Sequence, residues 1–323
     1  MNRRTFLAAI PAAVCSPRAI AAEGGTKVHR IGWLTAQRAA SLAPYLDAFR
    51  SGLADLGYVE GRNLVIEYRY GDDAIERVPE LAAELVRIPV DLIVAQGAAA
   101  FEIHGLAVPV VYGISADPVS SGFAESLARP RGNMTGLTFM AVEMNGKRLE
   151  LLREIIPELR RVAIIGNPEH PGAHLERAFS EAAGRRLGLE IAYFPTRNGD
   201  ELTAAFEAIA EDPPQAISVL ADGFAVQNRW NIIDFAMSRH VPVISGWPVF
   251  AQSGALCTYG PRLTESYRRL AYYVDRVLKG AKPAELPIEQ PAQFELVVNL
   301  KAAKALGIAI PPSVETRADR VIE

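Results

Sequence analysis

The strongest constraint on what this chain can become is a repeated alternation. Short runs rich in Val, Ile and Leu are followed by longer stretches with apolar residues at three- and four-residue spacing, the marks of buried strands and one-faced helices. Residues 28–34 read as a strand. Leu42, Tyr45, Leu46, Phe49, Leu53 and Leu56 then trace a helix closed by Gly57. Further strands are expected at 63–70, 90–95, 108–112 and 135–139, with a helix over Val78, Leu81, Ala82, Leu85 and Val86. A second series opens with a helix through Leu149, Leu152 and Ile155, ended by Pro157. It continues with strands at 161–166, 189–194, 215–221 and 241–245 and helices at 173–187, 200–210 and 226–239. A long helix at 264–279 precedes a segment holding Pro283, Pro287 and Pro291; a strand at 294–299, a short helix and an extended tail after Pro311 and Pro312 close the chain.

Strands alternating with helices imply an α/β fold whose parallel sheets are covered on both faces. About a dozen strands are too many for one comfortable sheet, so two doubly wound parallel-sheet lobes are expected. A (β/α)8 barrel is the competing fold. The proline-rich return near 283–291 suits a crossing between lobes better than another barrel step.

Composition removes several functions. The 323 residues, 50% hydrophobic and 22% charged, describe an ordinary globular chain of about two domains. A net charge of −3, with no interleaving of aromatic and basic residues, gives no surface for nucleic acid. Beyond the N-terminus no apolar run approaches the ~20 residues of a membrane-spanning helix.

The N-terminus reads as an export leader. Arg3 and Arg4 run into an apolar stretch, and Ala19-Ile20-Ala21 is a small-x-small cleavage site. The paired arginines, with Arg18 near the site, resemble a twin-arginine signal; a general secretory leader is the alternative. Residues 1–21 are thus expected to be removed on export to the periplasm. Cys15 lies in the leader, behind a Val14 too bulky for lipid processing, which leaves Cys257 as the one mature cysteine and no intrachain disulfide. Cys257, in the run Ala255-Leu256-Cys257, reads as a buried, inert thiol.

Ligands of open parallel sheets bind outside the carboxyl ends of the strands. That rule selects Thr35, Gln96, Gly97, Ala98, Ala99, Ser115, Asp117 and Thr138 in the first half, and Asn167, Asp222, Trp247 and Tyr259 in the second. Gln96-Gly97-Ala98-Ala99 carries the most weight. A buried strand ends there, Gly97 admits close approach, and the N–H groups of an opening helix attract a carboxylate; a plain tight turn is the alternative. Asp222 reads equally as partner of an ammonium group or as a helix N-cap. Asp117, followed by Pro118, favours turn chemistry. Trp33, Trp247, Tyr112 and Tyr259 suit an apolar ligand's walls, though packing explains any one of them.

Catalytic patterns are missing. His170 and His174, near Glu169 and Glu176, fall in a Pro/Gly loop without a third ligand at metal-site spacing. Asp72-Asp73 reads as a solvated turn, no Gly-x-Ser-x-Gly elbow occurs, and a single glycine at 97 makes no dinucleotide fingerprint. Neither metal nor cofactor is expected, and no residue is assigned a catalytic role.

Four blocks are familiar as wording. They are Gly57-Tyr58-Val59-Glu60-Gly61-Arg62-Asn63 with the Ile66-Glu67-Tyr68-Arg69 strand after it, and residues 116–136, 147–165 and 278–313. Together they resemble the ABC-transporter substrate-binding family that includes tryptophan- and tyrosine-binding members. The resemblance implies a type I periplasmic-binding fold with three crossover segments and a ligand clamped at the hinge cleft. It places one lobe at 28–138 plus 262–288 and the other at 141–258 plus 292–323. It also implies a monomer that is not an enzyme. Such a protein carries a small solute, an amino acid or related carboxylate, to a membrane permease and its ATPase, and meets the membrane only through them. A secreted two-lobed hydrolase or racemase and a ligand-sensing subunit are the competing functions. Two departures bear on the ligand. Arg131 stands where the family usually has the first glycine of Pro-Gly-Gly-Asn, and the Gln96 segment lacks the frequent Thr-Gly-Thr-Pro wording. Asp222 matches an acidic position at a strand end in many members.

Overall fold

A computed structural model describes residues 27–323 except 104, 141 and 221. The leader read at 1–21, with Arg3, Arg4, Cys15 and Arg18, lies outside the described residues. The first series supplies β1 (His29–Thr35), α1 (Ala39–Asp55), β2 (Leu64–Tyr70), α2 (Val78–Arg87), β3 (Leu92–Gln96), α3 (Ala99–Glu102) and β4 (Val110–Ile114). A small ribbon, β5 (Ala124–Ser126) and β6 (Arg129–Pro130), precedes β7 (Met134–Thr138). The second series runs α4 (Glu143–Ile155), β8 (Arg161–Gly166), α5 (Ala173–Leu187), β9 (Glu190–Pro195), α6 (Gly199–Glu211), β10 (Ala216–Val219), α7 (Gly223–Gln227), α8 (Arg229–Ser238), β11 (Val243–Ser245), α9 (Pro248–Gln252) and β12 (Cys257–Pro261). The chain ends with α10 (Leu263–Leu278), β13 (Phe294–Asn299), α11 (Leu300–Leu306), α12 (Pro312–Arg317) and β14 (Arg320–Ile322).

These strands form two main sheets. The first is five-stranded and parallel, in the order β2-β1-β3-β4-β7. The second is seven-stranded, in the order β14-β13-β12-β11-β10-β8-β9. In β1, Ile31 and Trp33 point to one face and Leu34 to the other, yet all three are wholly buried, because helices cover both faces. On the first sheet α1 and α10 bury Phe49, Leu53, Leu270 and Val274 on one side, while α2 and α3 bury Val78, Leu85 and Ala99 on the other. On the second, α4, α5 and α12 face α6, α8 and α9 across the strands. The layered α/β arrangement expected from the alternation is the one observed.

The chain passes between the sheets after β7, again after Pro261, and a third time after Ile288. The second passage sends α10 back onto the first sheet, where Gly52 of α1 sits so close that a Cβ there would lie 2.6 Å from the Arg268 carbonyl oxygen. The third explains the one antiparallel pairing in the large sheet, β12 with β13. The chain leaves β12 and re-enters β13 at the same end of the sheet, so the two must run in opposite directions.

Two expectations need correction. The helix expected at 226–239 begins earlier and breaks. Asp222 caps α7 by accepting from the Ala225 N–H at 2.7 Å, and Asn228 interrupts by donating its side-chain amide to the Phe224 carbonyl at 3.0 Å. The tail after Pro311 is not merely extended. Pro312 occupies the first turn of α12, where its missing N–H costs nothing, and β14 pairs with β13 through Val298 and Val321.

Candidate functional site

A cavity of about 390 Å³ lies between the two sheets at the strand tips, within the size range of small-molecule sites. From the first sheet it receives Gly97 after β3, Gly113 and Ser115 at the end of β4, and Phe139 after β7. Gln37, Ser41 and Tyr45 come from the start of α1 and the loop before it, and Tyr267 from α10. The second sheet contributes Trp247 after β11, Val249 and Gln252 on α9, and Val226 and Arg229 around the α7–α8 break. Of the residues selected by the strand-tip rule, Gly97, Ser115 and Trp247 are on this lining.

One wall is aromatic. Tyr45 stacks on Tyr267 at 5.1 Å between ring centres, and Phe139 stacks on the same ring at 5.5 Å. Trp33 lies behind at 6.3 Å from Tyr267. Burial pushes the Tyr45 hydroxyl up to about 12, with Glu295 adding to the shift, so it remains a neutral donor. Trp247 stands on the opposite side, half-buried.

Gln96 is the least satisfied group nearby. It is 1% exposed, and neither its amide oxygen nor its nitrogen meets a partner among the described residues. The amide lies against Gly113, whose Cβ position would be 2.8 Å from the Gln96 Oε1. Gly113 lines the cavity, so a side chain there would collide with the amide. An unmade hydrogen bond on a buried amide costs about 1–3 kcal/mol; Gln96 does not itself line the cavity and is separated from it by Gly113.

The other expected positions divide. Gly97, Ser115 and Trp247 line the cavity. Thr35 is fully buried behind it, accepting from the Gln37 N–H at 3.1 Å. Ala98 is exposed, Ala99 is in the core, and α3 is one turn long, too short for much of an end dipole. Asp117 accepts from the Ser120 N–H at 2.6 Å in a turn, and its own N–H donates to the Pro171 carbonyl across the gap between the sheets. Thr138 donates to the Ala116 carbonyl and lines a different cavity of about 430 Å³ behind the crossings, with Arg262, Arg269 and Glu289. Tyr259 packs near Phe294 at the far side of the second sheet. Trp33 and Tyr112 are core residues.

Asp222 and Asn167 belong to a polar cluster next to the cavity. Burial pushes the Asp222 carboxyl up to about 6 despite bonds from the Ala225, Asn167 and Phe224 N–H groups. Of the two readings left open for Asp222, its geometry displays the cap. Nearby, Arg148 is 5% exposed and donates to the Tyr259 carbonyl at 2.8 Å and to Asn145 at 2.5 Å. Burial draws Arg148 down to about 10 and pushes Glu176 up to about 7; it also draws His170 down to about 4. Cys257 is buried, and its thiol is pushed up to about 12 by the loss of solvent.

Tyr45, Phe139, Arg229 and Tyr267 line the cavity but escaped the reading from sequence. Phe139 is one residue past Thr138, which the strand-tip rule did select. Arg229 had no local signal inside an unbroken helix. Tyr267 arrives from α10 by a crossing that leaves no mark at Tyr267 itself.

A family model described as ABC transporter substrate binding protein matches residues 38–322. A tyrosine-binding protein of Clostridioides difficile (strain R20291) is 22% identical over 277 residues, covering 82% of this chain and 78% of that one. Among solved structures, an ABC domain from Streptococcus pneumonia in complex with L-Trp superposes with a TM-score of 0.84 at 23% identity, covering 92% of this chain and all of that one (100%). A conserved domain protein from Vibrio cholerae gives 0.83 at 24% identity, with coverage of 91% and 100%.

Proposed function

This chain belongs to the ABC transporter substrate-binding protein family, and from that premise we propose that it is the periplasmic solute-binding subunit of an ABC importer. It takes a small solute, an amino acid or related carboxylate, into the cavity between its two sheets and delivers it to a membrane permease powered by an ATPase subunit. The observation that carries this reading is the cavity at the strand tips, with Gln96 buried and unpartnered beside it. A buried amide left without a protein partner next to a cavity suits a receptor for a polar solute. Tyrosine and L-Trp in the relatives' descriptions make aromatic compounds the first to test.

The two lobes, 28–138 with 262–288 and 141–258 with 292–323, close on the solute because contacts such as those from Trp247 and Phe139 reach it together only when the lobes meet. The test is thermal unfolding of the leaderless protein against amino acids and aromatic carboxylates. A ligand at a hundred times its Kd adds about 2.7 kcal/mol, and Trp247→Ala should abolish the shift. A shift that survives Trp247→Ala rejects the cleft as the site, and none across the panel rejects the solute class.

A further inference from the structure

We propose that the cleft selects flat aromatic monocarboxylates that lack an α-ammonium group, with the Arg229 guanidinium taking the carboxylate; this rests on the cleft being the solute site. Of the side chains lining the cavity, Arg229 alone is ionised at neutral pH, and no carboxylate lines it. Its Nε donates to the Ser253 hydroxyl at 3.2 Å and its Nη1 to the Val226 carbonyl at 2.8 Å. Both acceptors are neutral, and no Asp or Glu lies within ion-pair distance among the described residues. The guanidinium also sits over the Trp230 ring at 5.6 Å. It is therefore held in place with its charge uncompensated, as a carboxylate receptor requires, and the planar donor fork matches a carboxylate's two oxygens.

The converse concerns the ammonium group. An α-amino acid brought into the cleft loses water from a cation as well as from an anion, and a buried cation without a partner is costly. Asp234, five residues further along α8, is exposed and does not line the cavity, and the carboxylate of Asp222, seven residues before Arg229, is engaged by the N–H groups of Ala225, Asn167 and Phe224. Glu176 is occupied by Asn145 and by the field of Arg148. Neither lines the cavity. The zwitterion of tyrosine or tryptophan would thus find no carboxylate for its positive end, only neutral partners such as Ser115, Gln252 and the aromatic rings, beside an Arg229 that repels it.

Shape supplies the rest. Tyr45, Tyr267 and Phe139 make one aromatic wall and Trp247 the opposing side, suited to a flat ring. Gln96, just behind Gly113 of the lining and with a donor and an acceptor both free, matches a ring hydroxyl that reaches past Gly113, since a hydroxyl offers one of each.

Calorimetric titration of the leaderless chain with 3-(4-hydroxyphenyl)propanoate, its neutral carboxamide and L-tyrosine tests this. The acid should bind about ten- to a hundredfold more tightly than either of the others, the factor of one charge-assisted contact. Arg229→Gln should bring acid and carboxamide to equal affinity. The acid-to-carboxamide ratio in the unmodified protein is read without any variant, so a poorly folding variant does not decide the matter. L-tyrosine binding as tightly as the acid, or an Arg229→Gln protein that keeps the preference, overturns the inference and leaves the cleft as the solute site. No binding of any of the three overturns the inference as well. Binding untouched by Trp247→Ala overturns the cleft reading itself.

Discussion

Asp222 and Gln96 are both polar, both buried and both next to the cleft, yet they predict opposite behaviour. The Asp222 carboxyl sits at about 6, above the usual 3.8, because burial opposes its charge. The folded state therefore holds this proton more firmly than the unfolded state, so the group's contribution to stability is full below pH 4 and is lost as pH rises through 6. Asn caps a helix as well as Asp does. Asp222→Asn should therefore gain on the parent protein as pH climbs from 4 to 8, by on the order of 2–3 kcal/mol, read as the difference in melting temperature without ligand. A difference that stays flat with pH refutes it. Gln96→Leu removes an unpartnered amide, so the unliganded protein should gain about 1–3 kcal/mol while affinity for the solute falls at least about tenfold. Calorimetry and thermal unfolding measure both, and a change of the same sign in the two excludes the role given to this amide. The sequence showed that Gln96 ends a buried strand, but its unpaired state depends on Gly113, which arrives from the neighbouring strand.

At the scale of elements, β7 shows how tightly the first sheet is built. Gly136 has φ near +153°, and a Cβ there would lie 2.0 Å from the Tyr112 carbonyl oxygen on β4. That neighbour is backbone, in register with Gly136 itself, so it cannot swing away. Gly136→Ala should destabilise the protein by more than about 2 kcal/mol, in the range left by backbone strain and overpacking. Urea unfolding gives the value, and a loss under about 0.5 kcal/mol contradicts the close approach. Elements with strong periodicity were legible in the sequence: residues 161–166, 173–187 and 294–299 were expected where β8, α5 and the strand β13 lie. The short ones were not. The one-turn helix α9 has only Pro248 as a start signal, and the β5–β6 ribbon holds too few residues for a period to show. The break at Asn228 depends on which carbonyl one side chain reaches, and spacing does not encode that.

Across the whole molecule, two sheet units follow from the alternation, and three of the residues picked by the strand-tip rule line the cavity between them. What it cannot give is how the rims meet. Asp117 donates to Pro171 across the gap, and Gly172, with φ +92°, lies where a Cβ would sit 2.8 Å from the Met140 sulfur and 2.9 Å from the Asp117 Cβ. Gly172→Val should wedge this rim apart. Small-angle scattering should then show the loss of ligand-induced compaction, with affinity falling at least about tenfold; unchanged compaction rules the wedge out. The second crossing has another consequence. The first unit begins at β1 yet depends on α10 for Tyr267, Leu270 and Val274 over its core, and the second depends on β13 and β14 to finish its sheet. During synthesis neither half can reach its native form until the stretch from Leu263 onward has left the ribosome. A chain cut just upstream of that point, after β12, would expose two unfinished cores at once.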